Sequence, residues 1–291
     1  MKIGMIGLGA MGLPISKRIL EAFGTLSVYD ISPEAVTQMA SKGAIGCRTV
    51  TDVAMEADIV LCSLPNAAIV QGILEEILNA QNTRVKLMAD LSSVAPASAR
   101  SFAELAAKKG IVYLDCPVSG GVGGAENGTL TIMVGGPADA LEQLTPVFEC
   151  IGKKVYHVGD VGAGSGIKMI NNYMLGCNMA TAAEALVLGK KIGLDVQTMQ
   201  DIIQSSSGRS FIIENKLPNF IMKRNFSGGF AVDLQYKDLG LAYESAKGFN
   251  MPIPMGSTAM QIMDAARAKG YGKQDITSLV KIWEELMDVE I

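Results

Sequence analysis

A chain of 291 residues with 49% hydrophobic and 19% charged residues carries ample apolar side chain for a packed core and too little charge for a disordered tail or a coiled coil. Its 25 Lys and Arg against 29 Asp and Glu give a net charge of −4. No basic run exceeds the pair Lys190 and Lys191, which argues against nucleic acid as a partner. A single histidine, His157, excludes HExxH sites and multi-histidine metal cages, and one tryptophan with 5% aromatic residues offers no stacking platform for bases or sugars. The 5 cysteines (Cys47, Cys62, Cys116, Cys150 and Cys177) are odd in number and scattered, in a sequence without a signal peptide. They read as reduced, mostly buried thiols of a cytoplasmic protein.

Short β-branched runs at residues 2–7, 26–30, 59–64, 87–90, 112–117, 131–135 and 155–158 alternate with helical stretches such as 33–42 and 97–109. That alternation predicts a parallel sheet covered by helices. Beyond Gly162 the strand-like runs vanish and a helical pattern of Ile, Leu and Met takes over. The glycine-rich segment from Gly159 to Gly166 marks the boundary, dividing the chain into domains 1–162 and 163–291. A helix is expected over 167–191, roughly 25 residues and about 37 Å long. It would be the spine of a second, all-α domain. The apolar stretch from Met174 to Gly189 lies within it but is broken by Asn178, Thr181 and Glu184, so it reads as a buried helix and not a membrane span. The fold class is therefore α/β, a doubly wound N-terminal sheet plus an all-α C-terminal domain joined by a long helix.

Gly7-Leu8-Gly9-Ala10-Met11-Gly12 fits G-x-G-x-x-G between an apolar run and a helical stretch. In that context Gly7 permits a tight turn, Gly9 lets backbone approach a pyrophosphate, and Gly12 lets the helix pack on its strand. Asp30 follows 18 residues beyond Gly12, at the end of the second strand, where a carboxylate accepts hydrogen bonds from ribose hydroxyls and repels a 2′-phosphate. No Arg or Lys follows in Ile31, Ser32 or Pro33, so NAD is expected and NADP disfavoured. The structural alternative is a plain glycine turn with Asp30 capping the helix at Pro33.

Six separated motifs then carry a family resemblance along the whole chain: residues 4–12; Leu64-Pro65-Asn66; Asp90-Leu91-Ser92-Ser93-Val94-Ala95-Pro96; Asp115-Cys116-Pro117-Val118-Ser119-Gly120-Gly121; residues 162–172; and Asp233-Leu234-Gln235-Tyr236-Lys237-Asp238-Leu239. The sequence resembles the β-hydroxyacid dehydrogenases, the group of 3-hydroxyisobutyrate dehydrogenase and tartronate semialdehyde reductase. The resemblance implies an NAD-dependent oxidoreductase interconverting a small 3-hydroxy acid and its semialdehyde. Lys168 would be the general acid/base, with Asn172 beside it four residues on along one helix face. Ser119, Gly120 and Gly121 would cradle the substrate carboxylate. Leu64, Pro65, Asn66 and Ser93 would hold the nicotinamide half, with Lys237 approaching the cofactor and Asp238 orienting it.

One departure and one closer resemblance narrow the subclass. The decarboxylating phosphogluconate relatives carry a histidine one residue before the helix asparagine, where this chain has Asn171, so simple alcohol oxidation is favoured. The runs 206–210 and 226–230 resemble members acting on 2-(hydroxymethyl)glutarate, and Arg209 is expected to pair a second carboxylate of such a dicarboxylate; an exposed helix-end arginine is the bland alternative. Tartronate semialdehyde or succinic semialdehyde reduction is the competing activity, and a non-catalytic nucleotide-binding relative the competing class. No metal, nucleic acid or membrane is expected as a partner. The apolar, Met-rich helical half predicts a homodimer or homotetramer.

Overall fold

Apolar side chains on both faces of the central strands dictate a sheet covered on both sides. The structure, a computed structural model, describes residues 1–291 and divides into two units, Met1–Lys168 and Met169–Ile291. The first runs β1 (Ile3–Ile6), α1 (Gly12–Phe23), β2 (Ser27–Tyr29), α2 (Pro33–Ala40), β3 (Ile45–Gly46), α3 (Val50–Glu56), β4 (Ile59–Cys62), α4 (Ala67–Asn79), β5 (Leu87–Asp90) and α5 (Pro96–Ala107). It continues through β6 (Val112–Asp115), β7 (Val118–Ser119), α6 (Gly121–Asn127), β8 (Leu130–Gly135), α7 (Ala138–Ile151) and β9 (Gly152–Gly159) into α8 (Ala163–Lys191). Successive strand residues point to opposite faces. Thus Leu61, Ala89 and Leu114 join Ile15 and Ile19 of α1 and Phe148 of α7 in one core layer. Their neighbours Val60, Met88 and Tyr113 join Val53 of α3, Leu74 of α4 and Phe102 of α5 in the other.

The strand order β3-β2-β1-β4-β5-β6 is that of a doubly wound dinucleotide-binding sheet, with its topological switch point between β1 and β4. One expectation needs correction: the sheet is mixed, because β8 runs antiparallel to β6 and β7. The register is continuous from Asp115↔Gly135 to Ser119↔Thr131, so β6 and β7 form one extended run interrupted at Pro117, which has no N–H for the ladder. The return through α6 is short, which suits an antiparallel partner and not a parallel crossover. β9 then pairs β8 in parallel with two irregularities.

The helix expected over 167–191 begins one turn earlier: the glycine-rich segment itself enters α8 at Ala163. Gly164 is required there by close approach: a Cβ on it would lie 2.3 Å from the Met133 carbonyl oxygen and 2.6 Å from that of Asp115. The Asp115 carboxylate, reaching across from the end of β6, accepts from the amides of Gly162 at 2.7 Å and Ser165 at 2.6 Å. These are donors that the first turn of a helix leaves without internal partners.

The second unit is helical. It contains most of α8, then α9 (Val196–Gln204), a π-helix (Ile212–Ile221), α10 (Val232–Gly248), α11 (Pro254–Ala268), a 3₁₀ turn (Ile276–Leu279) and α12 (Val280–Met287). Its core draws Met179, Ala183 and Leu186 from α8, Leu217 from the π-helix, Leu239 from α10 and Met263 from α11. Met5, Met39 and Met88 are likewise fully buried in the first unit, so part of the methionine excess is core filling. No helix is long and apolar enough to cross a membrane.

Candidate active site

At the switch point, β1 ends in the glycine loop. Gly7 has φ +94°, and a Cβ on it would sit 2.3 Å from the Ser63 carbonyl oxygen; a Cβ on Gly12 would sit 1.9 Å from that of Gly7. Both glycines are thus dictated by backbone packing. Gly9 differs, since a Cβ there would meet nothing within 4 Å, and the space outside the loop is open. Met11 precedes α1 without a side-chain cap, and no acidic residue lies in the first turn, so the positive end of the helix faces that space uncompensated. The residues fit a dinucleotide pyrophosphate at Gly9, Ala10 and Met11.

Asp30 is held firmly. Its Oδ2 accepts from the Leu8 amide at 2.6 Å and its Oδ1 from the Ser32 amide at 2.8 Å. The carboxylate is therefore tied to the glycine loop, and the cap of α2 is Ser32, whose hydroxyl accepts from Ala35. Leu8 is a core side chain whose amide is committed to Asp30.

The ends of β4 and β5 are joined through Ser92, Asp90 and Tyr113, to which sequence reasoning assigned no individual role. The Leu64 amide donates to Ser92 Oγ at 2.9 Å, the Ser92 amide to Asp90 Oδ1 at 2.9 Å, and the Tyr113 hydroxyl to Asp90 Oδ2 at 2.8 Å. Burial pushes the Asp90 carboxyl above the usual carboxylate range, against the bonds from Ser92 and Tyr113 that lower it. Burial raises Asp115 likewise, against the amides of Gly162 and Ser165. Pro65 is exposed and Ser93 half-buried at these strand ends. Asn66 caps α4, its Oδ1 accepting from Ile69 at 3.0 Å. A local signal existed for that role, an Asn directly before a helical run.

Ser119 closes β7, and Gly120 (φ +135°) and Gly121 (φ +64°) open α6; both glycines are exposed. His157 is structural, its Nε2–H donating to the Gly136 carbonyl at 2.7 Å.

In α8, Lys168 is half-buried and Asn172, one turn on, is 2% exposed. Asn172 Nδ2 donates to Asp238 Oδ2 at 2.5 Å, and its Oδ1 accepts from Asn171 Nδ2 at 2.9 Å. Lys237 Nζ lies 3.1 Å from Asp238 Oδ1. The helical unit thereby gathers Asn172, Lys237 and Asp238 into one polar cluster. Arg209 is exposed in the loop between α9 and the π-helix.

A doubly wound sheet with an open glycine loop and a fixed acid at the end of β2 defines a dinucleotide-binding protein. Residues 2–159 match the family model of the NAD binding domain of 6-phosphogluconate dehydrogenase, and residues 162–283 match that of the NAD-binding domain of NADP-dependent 3-hydroxyisobutyrate dehydrogenase. The chain is 48% identical over 293 residues to 2-(hydroxymethyl)glutarate dehydrogenase of Eubacterium barkeri, covering 100% of this chain and 97% of the relative. It is 38% identical to an NAD-dependent L-serine dehydrogenase of Pseudomonas aeruginosa, covering 97% and 98%. Among solved structures, Mycobacterium tuberculosis 3-hydroxyisobutyrate dehydrogenase with L-serine superposes with a TM-score of 0.90 at 33% identity, covering 97% of this chain and 98% of that one. The chain belongs to the 3-hydroxyisobutyrate dehydrogenase family of NAD(P)-binding oxidoreductases.

Proposed function

We propose that the protein is an NAD-dependent dehydrogenase interconverting a small 3-hydroxy acid bearing a primary alcohol and its semialdehyde. A bound nicotinamide supplies the hydride acceptor for oxidation and the donor for reduction. Lys168 takes the hydroxyl proton as the alcohol is oxidised and returns it on reduction. Asn172 orients the reacting group beside it, and Ser119, Gly120 and Gly121 hold the carboxylate through a hydroxyl and exposed amides. Gly7 to Gly12, Asp30, Leu64, Pro65, Asn66, Ser93 and Lys237 serve the cofactor, with Asp238 orienting Lys237 and Asn172 together. The reading is carried by one observation, the buried Asn172 side chain fixed by Asp238 one helical turn from Lys168. A buried amide kept in one orientation suits recognition better than packing.

The preference for NAD rests on Asp30, a carboxylate fixed by two amides with no Lys or Arg among Ile31, Ser32 and Pro33. A steady-state scan of small 3-hydroxy acids and semialdehydes with both cofactors tests the whole reading. The expected result is turnover of a 3-hydroxy acid with kcat/KM at least about tenfold higher for NAD, roughly 1.4 kcal/mol of discrimination. Equal use of NADP overturns the cofactor preference, and turnover confined to tartronate or succinic semialdehyde overturns the substrate class.

The substrate in view is a dicarboxylate such as 2-(hydroxymethyl)glutarate, with Arg209 pairing the second carboxylate. Arg209→Ala is expected to raise KM for the dicarboxylate about ten- to a hundredfold, the worth of a charge-assisted pair, and to spare a monocarboxylate. Equal effects on both substrates would remove Arg209 from this role. A cytoplasmic location is supported by the cysteines, all 5 of which are free. Burial pushes the thiols of Cys47 and Cys150 up to about 11. A homodimer or homotetramer is supported by exposed apolar side chains of the helical unit, such as Ile192 at 68% and Phe249 at 82%.

A further inference from the structure

Gln235 lies on α10 three residues before Asp238 and is fully buried at 0% exposure. Its Nε2–H donates to the main-chain carbonyl of Asn172 at 2.8 Å. In an α-helix that carbonyl already accepts from the N–H of residue 176, so Gln235 uses its second lone pair. Residue 172 is thus held twice from one face of α10, by its side chain through Asp238 and by its backbone through Gln235. Gly176 makes the approach possible: a Cβ there would lie 2.7 Å from Gln235 Nε2 and 3.0 Å from Leu239 Cδ1.

The other end of the same amide argues against a packing role. Gln235 Oε1 is buried and has no hydrogen-bond partner. A half-satisfied buried amide destabilises relative to an apolar side chain of the same shape, such as those of Leu239 and Ala242 on the same buried face. That cost fits a positional role for the bond to Asn172 better than a packing one.

We infer that Gln235 is a positioning residue: it fixes the turn of α8 at Asn172, and with it the setting of Lys168 one turn earlier on that helix. The inference rests on the assignment of Lys168 and Asn172 to the reacting group. Displacement of a reacting group by about 1 Å costs up to ~100-fold in rate, so a small relaxation of this turn is enough to be measured.

Two variants test it, with wild type and Lys168→Ala run beside them. Gln235→Met removes the donor and the orphan acceptor at similar volume, whereas Gly176→Ala keeps the glutamine and pushes its amide off the carbonyl. Both are expected to lower kcat about ten- to a hundredfold, to leave the Kd for NADH within about twofold, and to shift the limb of the kcat–pH profile that depends on the acid/base group. Amide exchange around residues 172–176 should quicken in both, and the Tm of Gln235→Met should equal or exceed that of wild type. Unchanged kcat and pH profile with a lowered Tm would overturn the inference and mark Gln235 as packing. Should Gln235→Met not fold, Gly176→Ala decides by the same readings. An active wild type, an inactive Lys168→Ala and a fully active Gln235→Met defeat the inference alone. An inactive wild type, or turnover retained in Lys168→Ala, defeats the assigned reaction and the inference with it.

Discussion

Lys168→Ala is expected to lower kcat by about 10²- to 10⁴-fold while the Kd for NADH stays within about twofold. The loss is that of a positioned acid/base group: with the amine gone, the alcohol proton has to leave to water in a step with no oriented acceptor. The lysine belongs to the second turn of α8, whose first turn is fixed by Asp115 through the Gly162 and Ser165 amides, so the backbone that carries it is well defined. The dinucleotide loop is built from Gly7 to Gly12 and Asp30, so NADH binding is expected to survive the truncation of Lys168. A pH profile adds a second reading. In wild type the oxidation needs the neutral amine and should fall on the acidic side, and that limb should vanish in the variant. Partial recovery with added ethylamine would support the same role. Turnover within about threefold of wild type removes Lys168 from it.

The second large effect falls on stability. Lys216 Nζ and Asp275 Oδ2 lie 2.5 Å apart with side-chain exposures of 8% and 0%, and the ammonium also stands 4.1 Å from the centre of the Phe220 ring. The Asp275 carboxylate accepts in addition from the amides of Phe230 at 2.8 Å and Thr277 at 3.0 Å. Lys216→Met would leave that carboxylate buried with amide donors only, an uncompensated charge that costs about 3–5 kcal/mol. For a unit of this size the melting temperature should drop by roughly 10–20 °C, measured by calorimetry. A change under about 2 °C would show that the amides alone satisfy Asp275. Gly229 also belongs to this arrangement, since a Cβ there would lie 2.0 Å from Asp275 Oδ2, so the Phe226–Phe230 loop closes against the carboxylate only with glycine at 229.

What was legible in the sequence was what is local in the chain. The glycine loop, Asp30 and the strand-helix alternation are short-range patterns set by φ, spacing and burial, and they give the sheet and its switch point directly. The two-residue strands β3 and β7 were not legible because two residues have no period. The antiparallel course of β8 follows from pairing with a run interrupted by Pro117, which a strand's own residues do not announce. Partners far apart in the chain were hidden as well. Asp238 was visible as an acid beside Lys237, but its bond to Asn172 spans 66 positions. Gln235 reads as an ordinary polar residue in a helix until its partner carbonyl is seen 63 positions away. The π-helix at Ile212–Ile221 has an amphipathic texture that an α-helix would share.

The entry of α8 into the first unit bears on how the protein can be cut. A truncation at Gly162, where composition changes, would strip Asp115 of the Ser165 amide and leave a carboxylate at 1% exposure with a weakened donor set. It would also remove Gly164, whose backbone fills the space against Met133 and Asp115. A dinucleotide-binding fragment should therefore extend to Lys168, keeping the first turns of the helix as a plug for its own sheet; the glycines that mark a boundary in the sequence are part of the wall.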